Sequence, residues 1–301
     1  MTEAVASVSE VRSAARVRTD RVGVVVHPSR NVDAPLRGLF GWAGDHGVAV
    51  VQVPIPGQDR TVTQIGSPGD CDLIVSIGGD GTMLAAMRAA VAADRPVLGI
   101  ACGSLGVLTS VSASAIAEAL ERFRGDDWVA RLLPALIVGG SGNAELFALN
   151  DVAVVRAGIG QVRVTTHVDG ILFSRLAGDG CIVSTPLGST AYSLAAGGPL
   201  LTPDTCGFAI APLPTHGGSH QPLVVGADAE LELQISTGIG GARLEVDGQI
   251  VDIEPERLTV SFRPDVATVV SFSDQEPFLT ALRRRGIIVD SPRILAEDAR
   301  R

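Results

Sequence analysis

The chain has 301 residues, 46% of them hydrophobic but only 4% aromatic, with 35 glycines and a formal net charge of −9. That length suits two modest domains or one large one with a sizeable core, and an acidic chain lacking a basic stripe is not built to bind nucleic acid. It contains no lysine, so its cations are all arginine or histidine; this excludes a Walker A P-loop and a protein-kinase site, both of which place a lysine on the phosphates.

No apolar run approaches the roughly 20 residues that span a bilayer, so no membrane association is expected. Residues 1–20 carry Glu3, Glu10, Arg12 and Arg16 without a continuous apolar stretch. They read as a flexible tail, not a signal peptide, and the expected location is cytoplasmic. Cys71, Cys102, Cys181 and Cys206 form no C-x-x-C pair, which predicts reduced, mostly buried thiols instead of a zinc knuckle or a disulfide framework.

From residue 21 the pattern alternates between strands and helices. "RVGVVVHP" is an apolar run closed by proline, a buried parallel strand. A helix is predicted over about residues 33–46, then "VAVVQVP" as a second strand and "CDLIVSIGGDGT" as a third running into a glycine turn. An alanine-rich helix over 83–93, the strand "RPVLGI" and a helix from Ser112 to about Arg124 complete an α/β domain over 21–125, Rossmann-like, with a parallel sheet. After about Asp126 the texture changes. Short alternating segments such as "QVRVTTHVDG", "CIVSTP", "LELQIS" and "GARLEVDGQIVDI" are split by Gly, Asp and Pro, which predicts a β-rich, sandwich-like domain over 126–276. "EPFLTALRRRGI" reads as an amphipathic helix in a C-terminal segment, 277–301, packing back on the α/β domain.

The strongest chemical signal is "IGGDGT". Gly78, Gly79 and Gly81 let backbone N–H groups turn inward around an anion, and the N-terminus of the helix that follows, with Thr82 in its first turn, favours phosphate. Asp80 stands among these glycines, where a carboxylate beside phosphates is unfavourable unless it deprotonates an attacking hydroxyl or holds Mg²⁺. A plain strand–helix turn with Asp80 as N-cap is the alternative. A second signal is the lone tyrosine, Tyr192, set in "STPLGSTAYSLAAGGPL". Small residues there allow close backbone approach to a ligand, and the ring supplies either a flat contact or half-buried packing.

Gly-Gly-Asp-Gly-Thr after a strand resembles NAD kinases, diacylglycerol and sphingosine kinases and, more loosely, phosphofructokinases. "GDGCIVSTPLGSTAYSLAAGGPLLTP" is similar to the glycine-rich substrate segment of NAD kinases, which the lipid kinases lack. Asn150-Asp151 in "FALNDVAVV", the segment "VLGIACGSLGVLTS" and "EVDGQ" match the same family in the same order, over about residues 22–288. The resemblance implies an NAD kinase / diacylglycerol kinase-like fold. It also implies transfer of a phosphoryl group from ATP or polyphosphate to the adenosine ribose 2′-hydroxyl of NAD, giving NADP. Asp80 would act on that hydroxyl, with Gly78, Gly79, Gly81 and Thr82 on the donor phosphates. Asn150 and Asp151 would hydrogen-bond the dinucleotide, Ser189, Thr190, Ala191 and Tyr192 would line its pocket, and Asp179 would face the nicotinamide half. Mg²⁺ or another divalent cation would ride mainly on the phosphates, without a side-chain metal site, and the family's habit implies a homodimer or homotetramer assembled through the β domain.

Three positions depart from the family pattern: Ala101 replaces an asparagine, Val107 a phenylalanine and Gln221 an arginine, with a histidine displaced to His216. These motivate an altered acceptor, another nucleoside or nucleotide hydroxyl, as the alternative reading; a lipid kinase and a catalytically silent dinucleotide-binding regulator rank below it. His216 and His220 have helical metal-ligand spacing, but Gly217-Gly218 argue against a helix between them. His27 is expected at a capped or solvated strand end and His167 on one face of a strand. Arg283, Arg284 and Arg285 are expected on a solvated helix face.

Overall fold

The computed structural model describes residues 19–140, 145–217 and 220–300. The tail expected over 1–20 therefore lies, up to residue 18, outside the described residues. The chain divides into two compact units, one of residues 1–131 with 268–301 and one of residues 132–267.

The first unit contains β1 (Arg21–Val26), α1 (Asp33–His46), β2 (Ala49–Gln52), β3 (Leu73–Gly78), α2 (Asp80–Val91), β4 (Val97–Ala101), β5 (Val111–Ser112) and α3 (Ile116–Arg124). Its strands form a parallel sheet in the order β4-β3-β1-β2, with β5 beside the end of β4. The order follows from composition. β1 and β3 are continuous apolar runs, buried along almost their whole length, so they take the central places where both faces are covered. Leu36, Leu39, Leu120 and Phe123 from the helices close over Val22, Val24, Leu73 and Ile77. α2 begins at Asp80, earlier than the alanine run suggests, because the Gly78-Gly79 turn already starts the helix.

The second unit runs through β6 (Val129–Gly140), β7 (Leu146–Ala148), β8 (Asp151–Arg156), β9 (Val162–Val168), β10 (Ile171–Gly178), β11 (Gly180–Ser184) and the single turn α4 (Tyr192–Ala195). β12 (Gly207–Pro212), β13 (Leu223–Gly226), β14 (Leu231–Thr237), β15 (Ala242–Val246), β16 (Gln249–Val251) and β17 (Arg257–Ser271) follow. One antiparallel sheet has the order β13-β12-β11-β8-β15-β16, and β10-β9-β14-β17 with β6 and β7 make the other. Val152, Val154 and Val183 from the first pack with Val162, Val164, Leu233 and Val260 from the second, the core of a sandwich. Asp169-Gly170 and Asp247-Gly248 adopt positive φ, at 50° and 75° and at 50° and 74°. They make the tight turns that join β9 to β10 and β15 to β16.

The unit boundaries fall at 131/132 and 267/268, not at 125/126 and 276/277. Composition changes where a helix ends, whereas the chain crosses inside two long strands, β6 and β17, whose alternation carries no mark of the crossing. The final residues of β17 lie parallel to β4, Val269 opposite Val97. α5 (Phe278–Arg284) and α6 (Pro292–Asp298) follow in the first unit.

Candidate active site

In the first unit the chemistry gathers at the C-terminal end of β3. A Cβ on Gly78 would meet Thr82 Oγ1 at 2.3 Å, so only glycine lets the strand turn so closely onto the helix. At Gly79 an added Cβ would have Arg30 Nη1 at 3.8 Å, and around Gly81 there is open space. Asp80 does not cap α2: the N-cap is Gly79, and Asp80 occupies the first helical position without a side-chain capping bond. Its carboxylate instead accepts hydrogen bonds from the loop after β4, from Val107 N–H at 3.1 Å, Leu108 N–H at 3.1 Å and Thr109 N–H at 3.4 Å. Thr109 Oγ1 donates to it at 3.4 Å, and Arg285 Nη1 forms an ion pair with Oδ2 at 2.9 Å. The N-cap alternative is thereby answered.

Two residues beside this carboxylate escape a reading of the sequence. Gly106 stands against the carboxylate, where a Cβ would come within 2.0 Å of Asp80 Oδ1. Arg285 belongs to the arginine run expected on a solvated face. All three are exposed, as expected, yet each is engaged: Arg285 reaches Asp80, Arg284 pairs with Glu276 at 3.0 Å and donates to the Leu105 carbonyl, and Arg283 pairs with Asp290. The residue C-capping α5, a feature without any sequence signature, sets its guanidinium on the Asp80 carboxylate. His27 is a capped strand end, its Nδ1 accepting from Ser29 and Arg30 N–H; burial, then Arg30 and Arg60, hold its pKa below the ordinary histidine value.

In the second unit several of the residues expected to bind the acceptor gather around the start of β8. Thr185 Oγ1 donates to the Leu149 carbonyl at 2.6 Å and accepts from Gly188 N–H, while Thr185 N–H donates to the Asn150 carbonyl. A Cβ on Gly188 would fall 1.9 Å from the Asn150 oxygen, so the "PLGST" turn can sit on the Asn150-Asp151 segment only with glycine there. Ser189 is fully buried and its hydroxyl is spent on the main chain, donating to Pro186 O and accepting from Leu201 N–H. Thr190 Oγ1 donates to Leu187 O. Ala191 and Tyr192 are exposed, the tyrosine ring 39% so, at the first turn of α4.

The electrostatics of this region are acidic. Asp151 is buried, and its pKa is pushed up to about 7 by that burial, then by Asp247 and Glu245. The Tyr192 phenol is pushed above its usual range by burial, Glu245, Asp151 and Asp179, with Arg243 opposing. Asp179, between β10 and β11, is paired with Arg156 at 2.6 Å. Asp247 is the member the sequence pattern hides: it reads as half of a turn, yet its carboxylate accepts from Leu149, Asn150 and Asp151 N–H. Three amides bent around one carboxylate set the direction of the Asn150-Asp151 pair. His216 and His220 build no metal centre: among the described residues no three His, Cys, Asp or Glu side chains converge on an ion. All four cysteines are free thiols; Cys71 and Cys181 are buried, Cys102 is part-buried and Cys206 exposed.

A parallel α/β unit with a carboxylate at the glycine turn, joined to an antiparallel sandwich, is the architecture of the dinucleotide kinases. The yeast NADH kinase crystallised with NADH superposes with a TM-score of 0.74 at 20% identity, covering 91% of this chain and 89% of that one. The Archaeoglobus fulgidus NAD kinase in complex with ATP gives a TM-score of 0.67 at 25% identity, covering 89% and 96%. The ATP-NAD kinase N-terminal domain model matches residues 22–127 and the C-terminal domain model residues 149–261. NAD kinase of Desulforamulus reducens is 31% identical over 76% of this chain and 83% of its own length, and NAD kinase 1 of Streptomyces avermitilis is 30% identical over 92% and 90%. The chain belongs to the NAD kinase family.

Proposed function

We propose that this protein transfers the γ-phosphoryl group of ATP to the adenosine ribose 2′-hydroxyl of NAD, releasing NADP and ADP. The observation that carries the reading is Asp80, a carboxylate at the glycine turn that is released from helix capping and positioned by main-chain amides. In the reaction Asp80 takes the proton of the 2′-hydroxyl as its oxygen bonds to the γ-phosphorus. The bond from that phosphorus to the β-phosphate oxygen breaks, and ADP leaves with the electron pair. Phosphoryl transfer asks the protein mainly for positioning and charge stabilisation. Gly78, Gly79, Gly81 and Thr82 offer the donor a turn with close backbone access, and Arg30 stands beside Gly79. Arg285 must exchange its bond to Asp80 for one to phosphate before the carboxylate can accept a proton.

Asn150, Asp151, Asp179, Thr190, Ala191 and Tyr192 are assigned to the acceptor. Carboxylates and an amide suit ribose diols, and the exposed phenol ring suits a flat base. The buried hydroxyl of Ser189 shapes this turn instead of reaching the ligand. Mg²⁺ is assigned to the donor, carried mainly on its phosphates. Self-association through the β-rich unit is supported by Ile171, Leu172 and Phe173, exposed on β10 at the outer end of its sheet.

The test is an assay of NADP formation from NAD, NADH and a panel of nucleosides with ATP or polyphosphate and Mg²⁺. NAD with ATP is expected to be turned over. Phosphorylation of a nucleoside with no NADP formed would move the assignment to the altered-acceptor reading.

A further inference from the structure

Behind the loop that holds Asp80 lies a cavity of about 400 Å³, within the size range of small-molecule sites. Asp80 is not among its lining residues; Leu105, Gly106, Val107 and Leu108 are, so one short segment borders the cavity and also supplies the amides that hold the carboxylate. Much of the wall is apolar, formed by Val107, Ala115, Ala119, Phe272 and Phe278.

Among the described residues, Arg131 and Gln275 in the lining have donors without acceptors. Arg131 forms no side-chain hydrogen bond or ion pair among the described residues, and burial alone lowers its pKa. Gln275 Nε2 is buried without a hydrogen-bond partner. The other cations of the lining are already engaged: Arg122 with Asp274 at 2.8 Å, and Arg284 with Glu276 at 3.0 Å. A guanidinium partly withdrawn from water without a counter-charge gains when an anion reaches it, and a buried amide N–H likewise lacks its acceptor. Glu118, exposed in the lining, disfavours a highly charged guest and points to one carrying a single negative charge.

We propose that this cavity binds a small apolar monocarboxylate, its charge on Arg131 and Gln275 and its body between α3 and the Phe272–Phe278 segment, and that occupancy alters turnover through the Leu105–Thr109 loop. Only the second half rests on the kinase reading, and the two halves are measured separately. The probe is 2-naphthoate, with naphthalene-2-carboxamide as its neutral counterpart, titrated into the full chain by calorimetry. Binding of the acid below 1 mM is expected, with the amide at least tenfold weaker. Arg131→Gln should weaken the acid at least tenfold while leaving turnover without probe unchanged, and Ala115→Phe, which fills the cavity, should abolish binding of both. Absence of binding, equal affinity of acid and amide, or binding that survives both substitutions would overturn the site. Saturating 2-naphthoate is expected to change the rate of NADP formation at least twofold in the parent and not in Arg131→Gln. Binding without that change overturns the coupling, whereas a protein that binds the probe yet phosphorylates no NAD refutes the kinase reading and leaves the site standing.

Discussion

Asp80 is proposed as the base, and its replacement separates chemistry from binding. Asp80→Asn keeps the shape of the side chain but cannot take a proton. It should lower kcat by ~10²- to 10⁴-fold while the affinity for NAD, measured by calorimetry, stays within about tenfold. Tyr192→Ala removes a part-exposed ring with no structural duty in the core. It should raise the KM for NAD more than it lowers kcat; an unchanged KM would mean that the ring only packs. Asp151 makes a prediction about stability. Its folded pKa, about 7, exceeds the ordinary carboxylate value of 3.8, so between these values the folded chain holds more protons than the unfolded one. Stability must therefore fall as pH rises from about 4 to 7, by at most ~1.4 kcal/mol per pH unit from this group. Urea denaturation of Asp151→Asn across that range should lack this component and show a flatter dependence.

At the scale of elements, both halves of the machinery are loops pressed onto strand ends, and in each a glycine permits the contact. Gly106 is the sharper case, since a methyl group there would overlap the Asp80 carboxylate at 2.0 Å. Because Asp80 can rotate away, Gly106→Ala should cost turnover, tenfold or more, with the urea midpoint little changed. An unaltered kcat would show that the amide cradle does not position the base. The comparison with Gly188 is instructive. There the obstacle is a backbone oxygen at 1.9 Å, which cannot rotate aside, so substitution disturbs the turn itself. Neither glycine differs in the linear pattern from those in open turns, such as Gly57 or Gly197, where an added Cβ meets nothing.

For the molecule as a whole, the absence of lysine leaves arginine as the always-charged donor to phosphates and carboxylates. Arginine's rigid fork can hold a carboxylate in the resting protein and pass to a phosphate without changing its own charge, as Arg285 on Asp80 is placed to do. The second proposal at this scale is self-association. Ile171, Leu172 and Phe173 present an apolar run on an outer strand, 73%, 47% and 40% exposed. Phe173→Glu should shift light-scattering mass toward the monomer, and an unchanged mass would remove β10 from the interface.

The alternation of apolar runs with helical periods determined the α/β unit, and the short alternating segments determined the sandwich, because burial on one face or two writes itself into hydrophobic periodicity. The glycine–aspartate turn and the tyrosine segment were legible for a related reason: close backbone approach demands small residues in sequence. What only the tertiary structure decided is who holds whom. Arg285 lies 205 positions from Asp80, and Asp247 lies 96 from Asp151. Gly106 meets Asp80 across a strand–loop junction, and among the described residues Arg131 has no counter-charge. Such pairings depend on distances in space that residue spacing does not encode.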